Sequence, residues 1–258
     1  MTARLAALVI AIAVCRPVGA DEWGSIKGRF VFGGALPTAT ELKADKDVEV
    51  CGKHKLLNEE LTVGADKGVA NVVVFVRDKD VKVHPDLAAT KGEKVVLDNR
   101  SCRFEPHVAF VQTGQTLVLK NSDTVGHNSN VATIKNAPSN NLIPAGGEAT
   151  STFTSDESIP AQVTCNIHPW MKAYAVFRKD GYVAVSAADG SFTIADLPAG
   201  EPLEFQVWHE RSTGPNGALG LEKPELKWTP KGRFQIKLEA DEVKDLGTLE
   251  VAAGAFGG

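Results

Sequence analysis

The chain has 258 residues, 43% of them hydrophobic and 23% charged, and a formal net charge of −4. That is an ordinary globular composition, enough to bury a core in one large domain or two small ones. With 28 Lys plus Arg against 32 Asp plus Glu there is no basic excess of the kind nucleic-acid binding draws on, and no G-x-x-x-x-G-K-[ST] loop offers a phosphate cradle. Neither a nucleic-acid partner nor nucleotide-driven chemistry is expected.

Residues 1–20, MTARLAALVIAIAVCRPVGA, predict a signal peptide. Arg4 gives the positive start, residues 5–14 the apolar stretch and Val18-Gly19-Ala20 a small-residue cleavage site. The apolar stretch is half of the roughly 20 residues that a bilayer span needs, so no membrane span is expected in the processed chain. A lipoprotein anchor at Cys15 is the weaker alternative, because Val14 is a poor residue before such a cysteine. Export to the periplasm or beyond follows. Processing removes Arg4 and Arg16 but no acid, and it leaves Cys51, Cys102 and Cys165. In an oxidising compartment an odd cysteine count asks for one cysteine with another task.

From there on the pattern is β. Alternating or β-branched runs fall at 25–32, 71–77, 94–97, 116–120, 162–165, 173–177, 182–186, 191–194, 203–208 and 233–238. Turn clusters such as Lys179-Asp180-Gly181, Asp189-Gly190 and Pro198-Ala199-Gly200 punctuate them. This predicts an all-β protein of antiparallel sandwich or barrel type. Only residues 38–46 read as helix, and 35–37, 136–139 and 213–218 read as loops. The expected organisation is an N-terminal β extension (21–93), a metal-binding domain (94–179) and a C-terminal β-rich segment (180–258). The two flanks are expected to associate with each other around the centre.

The metal reading comes from residues 161–175, AQVTCNIHPWMKAYA, where Cys165, His168 and Met171 are spaced C-x2-H-x2-M. Upstream, the stretch Lys120-Asn121-Ser122-Asp123-Thr124-Val125-Gly126-His127-Asn128 leads from a predicted strand into a histidine. A thiolate, two imidazoles and a thioether make a soft donor set suited to copper, and a His2Cys plane with a weak axial Met defines a blue-copper electron-transfer site. A short loop leaving its strand at Cys165 can turn three ligands toward one point, with His127 arriving from a neighbouring strand. Zinc is the rival ion, and a thioether serves it poorly.

With these residues the chain resembles the cupredoxins, in particular the amicyanin- and plastocyanin-like blue copper proteins, over about residues 94–178. Phe104-Glu105-Pro106, the run from Val111 to Leu119, and Asn121 and Asp123 ahead of His127-Asn128 look like that family's approach to its first ligand. The resemblance implies a Greek-key sandwich, here embedded in a larger β-sandwich protein, and one type 1 copper site held by His127, Cys165, His168 and Met171. It also implies that Asn128 aims its backbone N–H at the thiolate and ties the ligand loops with its side chain. His168, on a loop, is expected near the surface as the electron exit, with Pro169 and Trp170 either packing the loop or forming an apolar docking rim.

The function expected is that of an exported carrier of single electrons between redox proteins, a cytochrome or a periplasmic dehydrogenase. The alternative is a copper-binding scaffold whose metal does not cycle. An enzyme is not expected: there are six histidines, no H-x-H pair of the kind that builds further copper centres, and no G-x-S-x-G elbow. Cys51 and Cys102 form a disulfide, contributing on the order of 4 kcal/mol by loop entropy, or a second metal site with His54 and His107, or they stay free thiols. In the flanks, Asp189-Gly190-Ser191-Phe192-Thr193-Ile194 with Leu197-Pro198-Ala199-Gly200, and more faintly residues 24–29, look like the transthyretin-like fold of carboxypeptidase regulatory domains.

Overall fold

The computed structural model describes residues 23–257, and the signal peptide expected at 1–20 lies outside them. The N-terminal part supplies β1 (Trp23–Gly33), β2 (Glu41–Leu42), the one-turn helix α1 (Val48–Cys51), β3 (Leu56–Leu57), β4 (Val73–Val76) and the helix α2 (Pro85–Ala89). The central part runs through β5 (Lys94–Arg100), β6 (Arg103–Glu105), β7 (Val108–Gln112), β8 (Thr116–Asn121), β9 (His127–Ala132), β10 (Ser139–Ile143), β11 (Glu148–Thr152), β12 (Ala161–Thr164) and β13 (Lys172–Arg178). The C-terminal part adds β14 (Val183–Val185), β15 (Ser191–Pro198), β16 (Pro202–Trp208), β17 (Arg233–Lys237) and β18 (Val243–Ala252).

These strands make two β-sandwiches. In the central one a five-stranded sheet, β10-β9-β12-β13-β7, faces a four-stranded sheet, β11-β8-β5-β6. Leu97, Phe104, Val111, Leu117, Leu119, Val131, Val163 and Phe177 fill the space between them. The other sandwich is made from both flanks: β1 lies between β15 and β18, opposite the sheet β14-β4-β16-β17. Ile26, Phe30, Val74, Val76, Phe205, Phe234, Leu249 and Val251 are its core.

The alternation rule breaks in β4, where every residue is buried. The reason is a third apolar layer. Val73 and Phe75 turn away from their own core and meet Val108, Val176 and Trp208, with Tyr174 edge-on to Trp208 at 4.8 Å. Both faces of β4 are therefore dry, as in a strand buried on two sides. A charged cluster centred on the buried Glu210 and His107 lies beside this seam. Lys172 pairs with Glu60 and with Glu210 (3.2 Å), Arg211 with Glu60 (3.6 Å), and the His107 Nε2 with Glu210. All three parts of the chain contribute to it.

The structure departs from the sequence pattern in three places. Residues 38–46 hold no helix. Glu41–Leu42 forms instead a short ladder with Leu56–Leu57, because Leu42 and Leu56 pack on Cys51 and Cys102, and helix begins only at Val48. Local propensity gives way to that burial. The sheets are also not purely antiparallel: β1 runs parallel to β18, β5 to β8 and β13 to β7. In each of these pairs the intervening chain passes through other strands before it returns. Finally, β9, β10 and β11 carry polar sequences (HNSNVA, SNNLI, EATST) that gave no strand signal. Among the described residues no helix is long and apolar enough to cross a membrane.

His209, at the end of β16, is 1% exposed and stacks edge-on against Phe256. Burial pushes its imidazole down to about 4, against the pull of Glu210. On acidification the unfolded chain, with an ordinary value of about 6.5, takes up the proton first. The native state is thus fully favoured above that pH and loses stability between about 6.5 and about 4, by on the order of 3 kcal/mol from this residue. Urea unfolding followed across this range tests the effect: His209→Gln should flatten the slope, and an unchanged slope would contradict it.

Candidate metal centre

The hairpin β12–β13 builds most of the site. Thr164 pairs with Lys172, so the intervening loop opens at Cys165 and closes at Met171. Inside the loop the Met171 N–H donates to the His168 carbonyl (2.9 Å) and the Cys165 N–H to the Met171 carbonyl (3.3 Å). β9 lies on the other side of β12, with Asn130 opposite Thr164. His127, the first residue of β9, therefore stands beside the same loop.

Three donors converge there. Cys165 Sγ is 3.6 Å from His168 Nδ1 and 3.9 Å from His127 Nδ1, and the two rings are 4.5 Å apart between centroids. The donor atoms all lie within 4.8 Å of one another and all three residues are buried. Met171, 1% exposed, shares the core cluster of Cys165. Each imidazole is held from behind by a carboxylate. His127 Nε2 is 2.9 Å from Asp123 Oδ2, and His168 Nε2 is 2.9 Å from Asp47 Oδ2. An ionised carboxylate only accepts, so Nε2 carries a proton in each ring and each Nδ1 faces the sulfur.

The electrostatics favour a thiolate. Burial alone would push the Cys165 thiol up, but hydrogen bonds from His127, the Asn128 backbone and His168 outweigh it and bring it down to about 6. Burial would push the His127 imidazolium down, and its bonds to Asp123 and Cys165 lift it to about 9 instead. A buried thiolate beside two oriented imidazoles is a soft donor set that fits copper, and Met171 lies buried in the same apolar core as Cys165.

No protein-family model matches the chain, and no curated protein matches it. Solved structures with partial likeness include the copper-containing nitrite reductase of Thermus scotoductus SA-01, at TM-score 0.30 and 22% identity, covering 33% of this chain and 22% of that one. A reduced Cu(I) form of an amicyanin mutant scores 0.30 at 19% identity, over 41% of this chain and 98% of that one. A purple cupredoxin from Nitrosopumilus maritimus scores 0.28 at 18% identity, over 33% and 98%. At such scores these likenesses carry no weight beside the geometry of the site itself.

Two expectations from the sequence are corrected. His168 is not at the surface: it is wholly buried, its outer edge covered by Asp47. Of the expected rim, Pro169 is exposed, whereas Trp170 is half-buried and donates Nε1–H to the Cys102 carbonyl (3.0 Å). The reading of Cys51, His54, Cys102 and His107 as a second metal site also falls. Cys51 and Cys102 form a disulfide, His54 is exposed, and His107 turns its Nε2 to Glu210. Cys165 is the free cysteine among the described residues.

The sequence missed both carboxylates as working residues. Asp123 accepts from the backbone N–H of Ser101 (2.6 Å) and of Cys102 (2.9 Å), which both have positive φ, as well as holding His127. Asp47 had no local signal at all, being 121 residues from its partner. Asn128 does join the loops. Its Oδ1 accepts the Asn166 N–H (2.7 Å) and its Nδ2 donates to Asn140 (2.8 Å). Asn128→Ala leaves the Asn166 N–H without its acceptor and should lower the stability of the metal-free protein by about 1–3 kcal/mol. An unchanged urea midpoint would show that this tie holds nothing.

Proposed function

We propose that this chain is a copper protein with a single type 1 centre, which would be held by His127 and His168 through Nδ1, Cys165 through Sγ and the thioether of Met171. We further propose that it passes single electrons between redox partner proteins and performs no catalytic step of its own. The observation that carries this reading is the convergence of three buried soft donors within 4.8 Å, each imidazole already oriented by a carboxylate.

Bound copper supplies the one-electron couple. The chain's part is to hold the donors still and dry. The hairpin fixes Cys165 and His168, Asp123 and Asp47 fix the ring orientations, and the core around Met171 excludes water. A site prearranged in this way rearranges little when the charge changes, and hydrogen bonds to the sulfur from the Asn128 backbone help set the potential. Export is supported by the leader sequence and by a disulfide of the kind that persists in oxidising compartments. The partner would be a cytochrome or a periplasmic dehydrogenase, with electrostatic complementarity to an acidic protein steering the encounter. Three of the four other histidines have structural partners, which supports the reading without catalysis. His107 is engaged by Glu210, His84 caps α2 and His209 is buried against Phe256.

One observation favours the scaffold reading, in which copper staples the fold and does not cycle: the outer edge of His168 is closed. Electron self-exchange separates the two. A carrier broadens the ligand resonances of a mixed Cu(I)/Cu(II) sample, and a scaffold leaves them sharp.

Addition of one equivalent of Cu(II) should give intense colour and narrow copper hyperfine splitting. Cys165→Ser should abolish both, and colour that persisted would overturn the ligand assignment. Met171→Leu should keep the colour and raise the reduction potential, measured by voltammetry. An unchanged potential would remove Met171 from the set of residues that would hold the metal.

A further inference from the structure

Asp47 is placed against its local interest. It sits at the N-cap of α1 in a left-handed conformation (φ 45, ψ 43), yet its side chain makes no cap hydrogen bond. An Asp at that position ordinarily spends its carboxylate on the first helical N–H groups, and a non-glycine residue in the left-handed region carries strain. Here the carboxylate is turned to His168 Nε2 (2.9 Å). His168 is fully buried and the Asp47 side chain is 42% exposed, so this hydrogen bond lies at the boundary between the candidate centre and solvent.

The segment that carries Asp47 has little structure of its own. Between β1 and β4 it holds the two-pair ladder β2–β3 and the single turn α1. What ties it down lies around the centre. Cys51 is joined to Cys102, and Leu56, Leu42, Ala44 and Val50 pack with the disulfide against Val125 and Trp170. The Asp47 carbonyl accepts the N–H of Cys51 (2.8 Å), and Asp123, behind His127, accepts the N–H of Cys102. One covalent link thus holds the supports of both imidazoles.

We propose that residues 44–57 are a lid over the metal centre, latched by the Cys51–Cys102 disulfide, with Asp47 as the positioning residue that closes it on His168. This rests on the copper reading given above. With the latch made, the lid shuts the route between the metal and solvent at the His168 edge, so copper is held kinetically and its exchange requires the lid to open. Asp47 also holds the His168 ring and adds electron density to it through the Nε2–H bond, which favours the oxidised metal.

The test uses the full processed chain and its variants Asp47→Ala, Asp47→Asn and the double variant Cys51→Ser/Cys102→Ser. Backbone hydrogen exchange is measured first on the metal-free proteins. The amides of Val50, Cys51 and Gly52 should exchange at least about tenfold faster in Asp47→Ala and in the double variant, with Asp47→Asn closer to wild type. Removal of copper by EDTA from the loaded proteins should accelerate by at least about tenfold in the same order. The reduction potential should rise in Asp47→Ala and be partly restored by Asp47→Asn, a change that mere loss of packing would not produce. If all variants keep the colour with unchanged exchange, release and potential, the lid is overturned and the copper reading stands. If the wild-type chain takes up no coloured copper, the copper reading falls, and unaltered amide exchange in the metal-free variants then overturns the lid independently. Should the double variant fail to fold, the Asp47→Ala and Asp47→Asn pair decides the question alone.

Discussion

Two hydrogen bonds, each from an imidazole Nε2–H to a carboxylate, organise the candidate centre. A histidine ring turns freely about two bonds, and a buried ring without a fixed partner would not present the same nitrogen to a sulfur at all times. Asp123 and Asp47 remove that freedom at His127 and His168, and the consequence is two Nδ1 atoms facing Cys165. Both carboxylates depend in turn on parts of the chain far from the C-x2-H-x2-M loop. Asp123 is fixed by the tight turn at Ser101 and Cys102, and Asp47 by a segment tied to that same turn through the disulfide.

This dependence gives the larger architecture a role. A nine-stranded central sandwich could carry the loop and His127 alone, but not Asp47. The flanks close into a second sandwich on the back of the first, through Val73, Phe75 and Trp208 against Val108 and Val176. The stretch between β1 and β4 is thereby anchored at both ends and can reach over the site. The charged cluster of Glu60, Lys172 and Glu210 lies at the same seam, and Lys172 directly follows Met171. Lys172 thereby ties the end of the loop to both flanks.

The loop was legible in the sequence because its chemistry is local: three donors within seven residues need only a hairpin to converge. His127 was legible only together with its surroundings, and the structure places it beside the loop through the β9–β12 pairing. The strand it opens was not legible, since HNSNVA has no apolar alternation. His127 and Asn128 are buried because they serve the site, and Ser129 is buried where its hydroxyl accepts from Asn99. Asp47 was illegible for a different reason. An acidic residue in a polar stretch gives no sign of a partner 121 positions away, and the burial it produces at His168 reverses what loop position alone implied. The β texture of the flanks could be read, whereas the parallel pairing of β1 with β18 depends on contacts that no window of sequence contains.

The most direct test of the central claim is copper-edge X-ray absorption on the processed chain loaded with one equivalent of copper. One short copper–sulfur bond together with the scattering of two imidazoles is the result predicted from His127, Cys165 and His168. A metal surrounded by nitrogen and oxygen alone would contradict it, because it would place copper away from Cys165, the buried free thiol among the described residues, to which the two histidines point.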